Sequence, residues 1–170
     1  MCLSMLPTLS FAQTKSPTEQ GNTDLNILNG GVMLTFGDDF YFVQDGIFVQ
    51  SGEEVRALSA DTGKNLNYYN GYIYYTLGAQ VKRVSVAGGA AENVFTADSE
   101  ISQMYIVDGA FIYLSEGVVY TRPKKDNAAV RISAQSNIKG LIPTQYGNLY
   151  LTGEVLNYTL WAGESELLSG

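Results

Sequence analysis

Few residues in this chain have the type and spacing for chemistry, and the carboxylates come first. Asp38-Asp39 with Asp45, and Glu53-Glu54, are the densest acidic stretches, and Glu100 stands apart from them. A glycosidase sets two carboxyl groups about 5–10 Å apart across a sugar. Adjacent carboxylates in turn-like sequence are ordinarily solvated turn formers, which makes the enzymatic reading the weaker one. Calcium needs several oxygens around one point; Asp61-Thr62-Gly63 has only the composition of a turn, and no D-x-[DN]-x-[DN]-G run is present. The chain has no histidine. That absence removes Ser-His and Cys-His pairs, imidazole acid–base work and the commonest zinc ligand. Gly88-Gly89 opens no helix, so it is no phosphate loop. The expectation is a protein without catalytic residues, metal or cofactor.

Rings and cations offer softer chemistry. Tyr68, Tyr69, Tyr72, Tyr158 and Trp161 could present faces on which a pyranose stacks, although core packing is the default for tyrosines inside repeated strands. Trp161, Tyr158 and Tyr72 are the candidate ligand-binding residues, with Trp161 first because it departs from the repeat described next. Arg122-Pro123-Lys124-Lys125 falls at a hairpin tip and reads as a solvated turn that could touch an anionic polymer. Ten basic residues stand against 17 acidic ones, a net charge of −7. Nucleic-acid affinity rests on Lys and Arg neutralising phosphates, so this balance argues against such a partner.

The elements that must carry these residues are strands. Twelve Tyr and seven Phe accompany 18 Gly; tyrosines and β-branched residues suit pleated sheet, and glycines suit its turns. A turn followed by an aromatic strand occurs four times: Asp38-Asp39-Phe40-Tyr41-Phe42, Gly71-Tyr72-Ile73-Tyr74-Tyr75, Gly109-Ala110-Phe111-Ile112-Tyr113 and Gly147-Asn148-Leu149-Tyr150-Leu151. The offsets are 33, 38 and 38 residues, a period that signals a stacked or radial repeat. Three further strands can be placed in every period. One precedes the aromatic strand (Val32–Phe36, Leu66–Tyr69, Ile101–Val107, Ile138–Pro143). One follows it (Ile47–Gln50, Val81–Val86, Val118–Arg122, Leu156–Trp161), and a short polar one closes the unit (Val55–Leu58, Glu92–Thr96, Ala129–Ser133, Glu166–Leu168). No helical periodicity persists over eleven residues. Four antiparallel strands per unit is the anatomy of a propeller blade. The fold class expected is all-β, β-propeller-like, with about four blades near residues 32–60, 61–98, 99–136 and 137–170. Those blades either close a ring by themselves, with Leu25–Leu28 as an edge strand, or form part of a larger one of about six.

Ahead of the propeller domain at 25–170, residues 1–12 resemble the apolar part of a secretory signal, with Ser10-Phe11-Ala12 before a cleavage point. The charged start of such a signal is missing. The run is too short for a membrane span and contains Pro7. Residues 13–24 read as a flexible spacer. The only cysteine is Cys2, so an exported mature domain would hold together without disulfides.

The repeated turn and aromatic strand, with the lead-in Gly21-Asn22-Thr23-Asp24-Leu25-Asn26-Ile27-Leu28-Asn29-Gly30-Gly31, resemble bacterial domains of unknown function grouped with low-density-lipoprotein-receptor-type β-propellers. Blades of that family carry a Tyr-Trp-Thr-Asp-like strand. Here Tyr74-Tyr75-Thr76-Leu77 keeps the threonine and has leucine in place of aspartate. The resemblance spans about residues 21–170 and implies a secreted or cell-surface, non-enzymatic binding or spacer module. Its partner would be a protein or a cell-wall glycan. The resemblance carries over no functional residue. A carbohydrate-active enzyme using propeller-face carboxylates is the alternative.

Overall fold

The computed structural model describes residues 22, 24–107, 109–122, 128–144, 147–160 and 165–167. They form a five-residue helix, α1 (Asp24–Leu28), and four four-stranded antiparallel sheets, each an up-and-down meander in chain order. The first sheet is β1 (Met33–Phe36), β2 (Asp39–Val43), β3 (Ile47–Ser51) and β4 (Glu54–Ser59); the second is β5 (Lys64–Tyr69), β6 (Tyr72–Leu77), β7 (Gln80–Ser85) and β8 (Glu92–Thr96). The third is β9 (Ile101–Val107), β10 (Ala110–Ser115), β11 (Val118–Arg122) and β12 (Val130–Arg131); the fourth is β13 (Ile138–Pro143), β14 (Gly147–Thr152), β15 (Val155–Leu160) and β16 (Ser165–Leu167). The expected all-β, β-propeller-like fold of four blades is the one observed, and the aromatic stretches are the second strand of each blade.

Turn chemistry fixes the register. Asn70 and Gly71 both take positive φ, 48° and 75°, the two-residue turn whose twist matches that of the flanking strands. It pairs Tyr69 with Tyr72 and sets the residues beyond them in register. Alternation along each strand then sends side chains to opposite faces. Ile73 and Tyr75 enter a core shared with the first blade through Leu34, Tyr41 and Val49. Tyr74, between them, enters a second core with Phe95, Met104 and Phe111 of the second and third blades. Tyr105, Ile112 and Leu114 fill a third seam with Leu141 and Tyr150 of the fourth. The middle blades are thus apolar on both faces, and the core consists of three inter-blade seams.

Two expected boundaries are corrected. Leu25–Leu28 belongs to α1 and not to an edge strand. Asn29 ends the helix: its Nδ2 donates to the Leu25 carbonyl, and its Oδ1 accepts the N–H groups of Gly31, Val32 and Met33. Gly31 must be glycine: at φ 79° it passes so close to β5 that a Cβ would stand 2.5 Å from the Asn65 Cα. The strand expected over Ala129–Ser133 contracts to Val130–Arg131. The Arg131 guanidinium turns back to the carbonyls of Ser133, Ala134 and Gln135 and bends the chain out of the sheet. The strand expected over Leu156–Trp161 is β15 (Val155–Leu160), with Trp161 outside the described residues.

Candidate functional site

The first strands of successive blades, β1, β5, β9 and β13, pack in series along the inner edge of the arc, and α1 rests on β1 and β5. Between α1, β5 and β9 lies a cavity of about 100 Å³ lined by Asn22, Asn26, Asn65, Ser102, Gln103 and Tyr105, among others. Its walls are amides and hydroxyls. Tyr105 is the titratable group among them, and burial pushes its phenol above the ordinary value. A polar space of this size can hold ordered water molecules.

Asn26 and Gln103 of this cavity, and Asn67 on β5, bind backbone one blade away. Asn26 Nδ2 donates to the Leu66 carbonyl on β5. Asn67 Nδ2 donates to the Met104 carbonyl at 3.1 Å, and its Oδ1 accepts the Ile106 N–H at 3.0 Å. Gln103 Oε1 accepts the Leu141 N–H at 2.7 Å. Each amide thereby does across a seam what strand pairing does within a sheet. Buried amides require such partners, because an unsatisfied buried polar group costs roughly 1–3 kcal/mol. The sequence reading passed over these residues. Their signal was polar side chains at buried positions, as in Asn65-Leu66-Asn67.

A second polar group joins the linker before β5 to the second blade. The Asp61 carboxylate takes the Lys82 ammonium and, at 2.5 Å, the Tyr75 hydroxyl. Burial acts to raise the Asp61 carboxyl, but hydrogen bonds from Lys82 and Tyr75 outweigh it and hold the group below its usual range. The Tyr75 phenol is driven well up by burial and by Asp61. Two blades later, Tyr150 faces the rear seam as Tyr75 does, one residue off the position the sequence repeat assigns it, and hydrogen-bonds Gln135 of its own linker at 2.7 Å. These are seam fastenings.

The structure separates most of the sequence-derived candidates. Asp38 and Asp45 lie in the turns at opposite ends of β2. Asp39 accepts the hydroxyls of Ser51 at 2.5 Å and Tyr41 at 3.3 Å. Glu53 and Glu54 are exposed on the β3–β4 hairpin. Among the described residues no three of His, Cys, Asp and Glu gather as a metal group. Ser136 and Lys139 do have Ser-x-x-Lys spacing, a match the sequence reading overlooked. They straddle the linker into β13, so no helical turn brings them to one face. Tyr72 opens β6 half-buried, its ring edge-on to Tyr74 and covered by the Arg83 guanidinium at 4.4 Å. Arg83 in turn holds Glu92 through Nε at 2.9 Å and Nη2 at 2.7 Å. Tyr68 stacks on Phe36. Tyr158 sits in β15 opposite Leu149; Trp161 and Pro123–Lys125 lie outside the described residues, as do residues 1–12 and 13–21.

No family model and no curated protein sequence matches the chain. Solved structures do. A chain of a nidogen/laminin complex aligns over 76% of this chain and 58% of its own, with 9% identity and a TM-score of 0.59. The N-terminal domain of Nup159 aligns over 78% and 41%, with 9% identity and a TM-score of 0.60. PorZ, an essential surface component of the type-IX secretion system of Porphyromonas gingivalis, aligns over 84% and 21%, with 12% identity and a TM-score of 0.58. The chain therefore spans less than two thirds of each of these neighbours. At such identities the likeness concerns the fold alone, and the fold is β-propeller-like. Among the described residues no helix is long and apolar enough to cross a membrane.

Proposed function

We propose that the chain is a non-enzymatic, extracytoplasmic β-propeller module, of the kind found in bacterial domains of unknown function akin to low-density-lipoprotein-receptor-type propellers. On this reading it binds a protein or cell-wall glycan, or spaces other domains. One observation carries the proposal: the polar side chains at the seams fasten blade to blade. Asn26, Asn67 and Gln103 hold neighbouring backbone, and Asp61, Tyr75 and Lys82 hold one another. The cavity that Asn26 and Gln103 border is small and lined by neutral groups. Two structural neighbours, a chain of a nidogen/laminin complex and a bacterial surface component, support this reading.

Trp161 is the sole tryptophan, which makes its emission a direct probe. Titration with soluble wall glycan should give a saturable change that leaves the glycan intact by mass spectrometry. Turnover of the glycan, abolished by neutralising Asp38, Asp39 or Glu100 without unfolding, would establish the carbohydrate-active alternative instead. Fusion of residues 1–24 to an export reporter tests the compartment, and retention of the reporter in the cytoplasm would refute it.

A further inference from the structure

The sequence holds two Asn-Gly pairs, Asn29-Gly30 and Asn70-Gly71, and the fold treats them in opposite ways. An asparagine followed by glycine is a chemical weak point, because no Cβ shields the glycine nitrogen from the asparagine Cγ. At Asn29 both ends of the side-chain amide are taken. Its Nδ2 donates to the carbonyls of Leu25 and Met33, and its Oδ1 accepts the N–H groups of Gly31, Val32 and Met33. This amide turns toward Gly30 only by releasing those bonds, and with them the end of α1.

Asn70 is exposed, and its side chain enters no hydrogen bond among the described residues. The peptide between Asn70 and Gly71 likewise takes part in none of the turn's backbone bonds among those residues; the Val86 N–H reaches the Gly71 carbonyl, at 3.0 Å, on the next peptide. The observed φ values of 48° and 75° are those of a type I′ turn. Turning over the Asn70–Gly71 peptide alone gives type II′, with ψ of about −120° at the first central residue. The Gly71 nitrogen then stands on the Cβ side of Asn70, ready to close a five-membered ring through Cγ. Type II′ also asks Gly71 for a negative φ, and glycine is at ease on both sides. Both turn types close the same two-residue hairpin.

We propose that Asn70-Gly71 is a site of spontaneous deamidation, where the exposed hairpin turn lets the Gly71 nitrogen attack Asn70 Cγ while the cap of α1 shields Asn29. The N–Cγ bond forms as the Cγ–Nδ2 bond breaks. The amide group leaves as ammonia with the Gly71 proton, and a succinimide remains. Water then opens the ring at either carbonyl: scission at Cγ gives aspartate, and scission at the main-chain carbonyl gives isoaspartate. The net reaction consumes one water, releases one ammonia and changes no oxidation state. Both products add a carboxylate to a chain already at −7. Aspartate keeps the hairpin, because Asp-Gly suits the same turn. Isoaspartate inserts a methylene into the main chain between Tyr69 and Tyr72, and a two-residue turn cannot absorb it without a change of register. Tyr72 then leaves its place opposite Tyr69, and its ring leaves the Arg83 guanidinium that covers it. The turn is thus a molecular clock whose isoaspartate fraction grows with age and loosens the second blade.

The test is incubation of the full 170-residue chain in mildly alkaline buffer, folded and in urea. Tryptic digestion and mass spectrometry with electron-transfer fragmentation then locate the new acid and tell aspartate from isoaspartate. In the folded protein Asn70 should convert about tenfold faster than Asn29 or more, since giving up even one hydrogen bond of the cap slows ring closure by that order. Urea abolishes both the cap and the turn, so there the preference should vanish. Asn70→Gly keeps a turn-forming Gly-Gly pair and has no side chain to cyclise. After the same incubation it should retain the Val86 amide exchange of fresh protein, whereas aged wild type should exchange that amide faster. Equal conversion of Asn29 and Asn70 in the folded chain overturns the proposal. So does an intact folded Asn70 at a time when the urea sample has converted. Isoaspartate at position 70 with unchanged Val86 exchange overturns the loss of register.

Discussion

Asp61 shows how a single side chain ties stability to pH. Its carboxyl is held low in the folded protein, so its contribution is present above the unfolded value of about 4 and is lost as pH falls through the folded value. Urea midpoints should therefore drop on acidification below about pH 4, and Asp61→Asn should flatten that part of the profile while lowering the plateau. Tyr75 acts at the other end. Its phenol is raised, so the stability that it supports is full below about pH 10 and declines as alkali ionises the unfolded chain first. Asn67 tests the amide clasps. Asn67→Ala strands the Met104 carbonyl and the Ile106 N–H; the expected cost is about 2–4 kcal/mol, with faster exchange of the Ile106 amide. An unchanged Ile106 exchange rate would place the clasp outside the stability of the seam.

At the scale of elements, the hairpins were legible and the connections between blades were not. Asn70-Gly71 before Tyr72-Ile73-Tyr74-Tyr75 announces its turn through a dipeptide suited to two positive φ angles, and the three echoes of that stretch gave the blades. The helix α1 escaped because five residues are too few for a periodic signal; it rests on the Asn29 cap, a single side chain. The end of β12 escaped because Arg131 leaves the sheet for local carbonyls that propensity does not see. Asn67 and Gln103 escaped because an amide reads as surface until its partner, one repeat away, is known. Gly31 is where these features meet. Gly31→Ala brings a methyl group into the Asn65 backbone at positive φ, and we expect a loss of about 1–3 kcal/mol together with weaker protection of the Leu66 amide, whose N–H reaches the Gly31 carbonyl at 2.8 Å.

For the whole molecule, stability is distributed as in a stacked array, where each unit depends on its neighbours. Strands β5 to β11 lie in blades covered on both faces, so their amides should exchange most slowly, with protection falling toward β1–β4 and β13–β15. Tyr74→Ala or Phe111→Ala empties one seam from opposite sides, since the two rings meet at 5.7 Å. Each should cost about 3–5 kcal/mol. The double variant should cost less than the sum, because the rings share one cavity. Additive losses measured by urea denaturation would show that the second seam is not a single packed unit.

The amide clasps also bear on how such a chain changes over generations. Asn26, Asn67 and Gln103 grip peptide groups, which every residue at the receiving position supplies alike. Side chains on the receiving strand can therefore drift without loosening the grip. A duplicated or transplanted blade brings its own fastener and asks of its host only a carbonyl or an N–H at the right height. A fold fastened in this way can persist while its spelling changes, and the neighbours that share the architecture share only 9–12% of their residues with this chain.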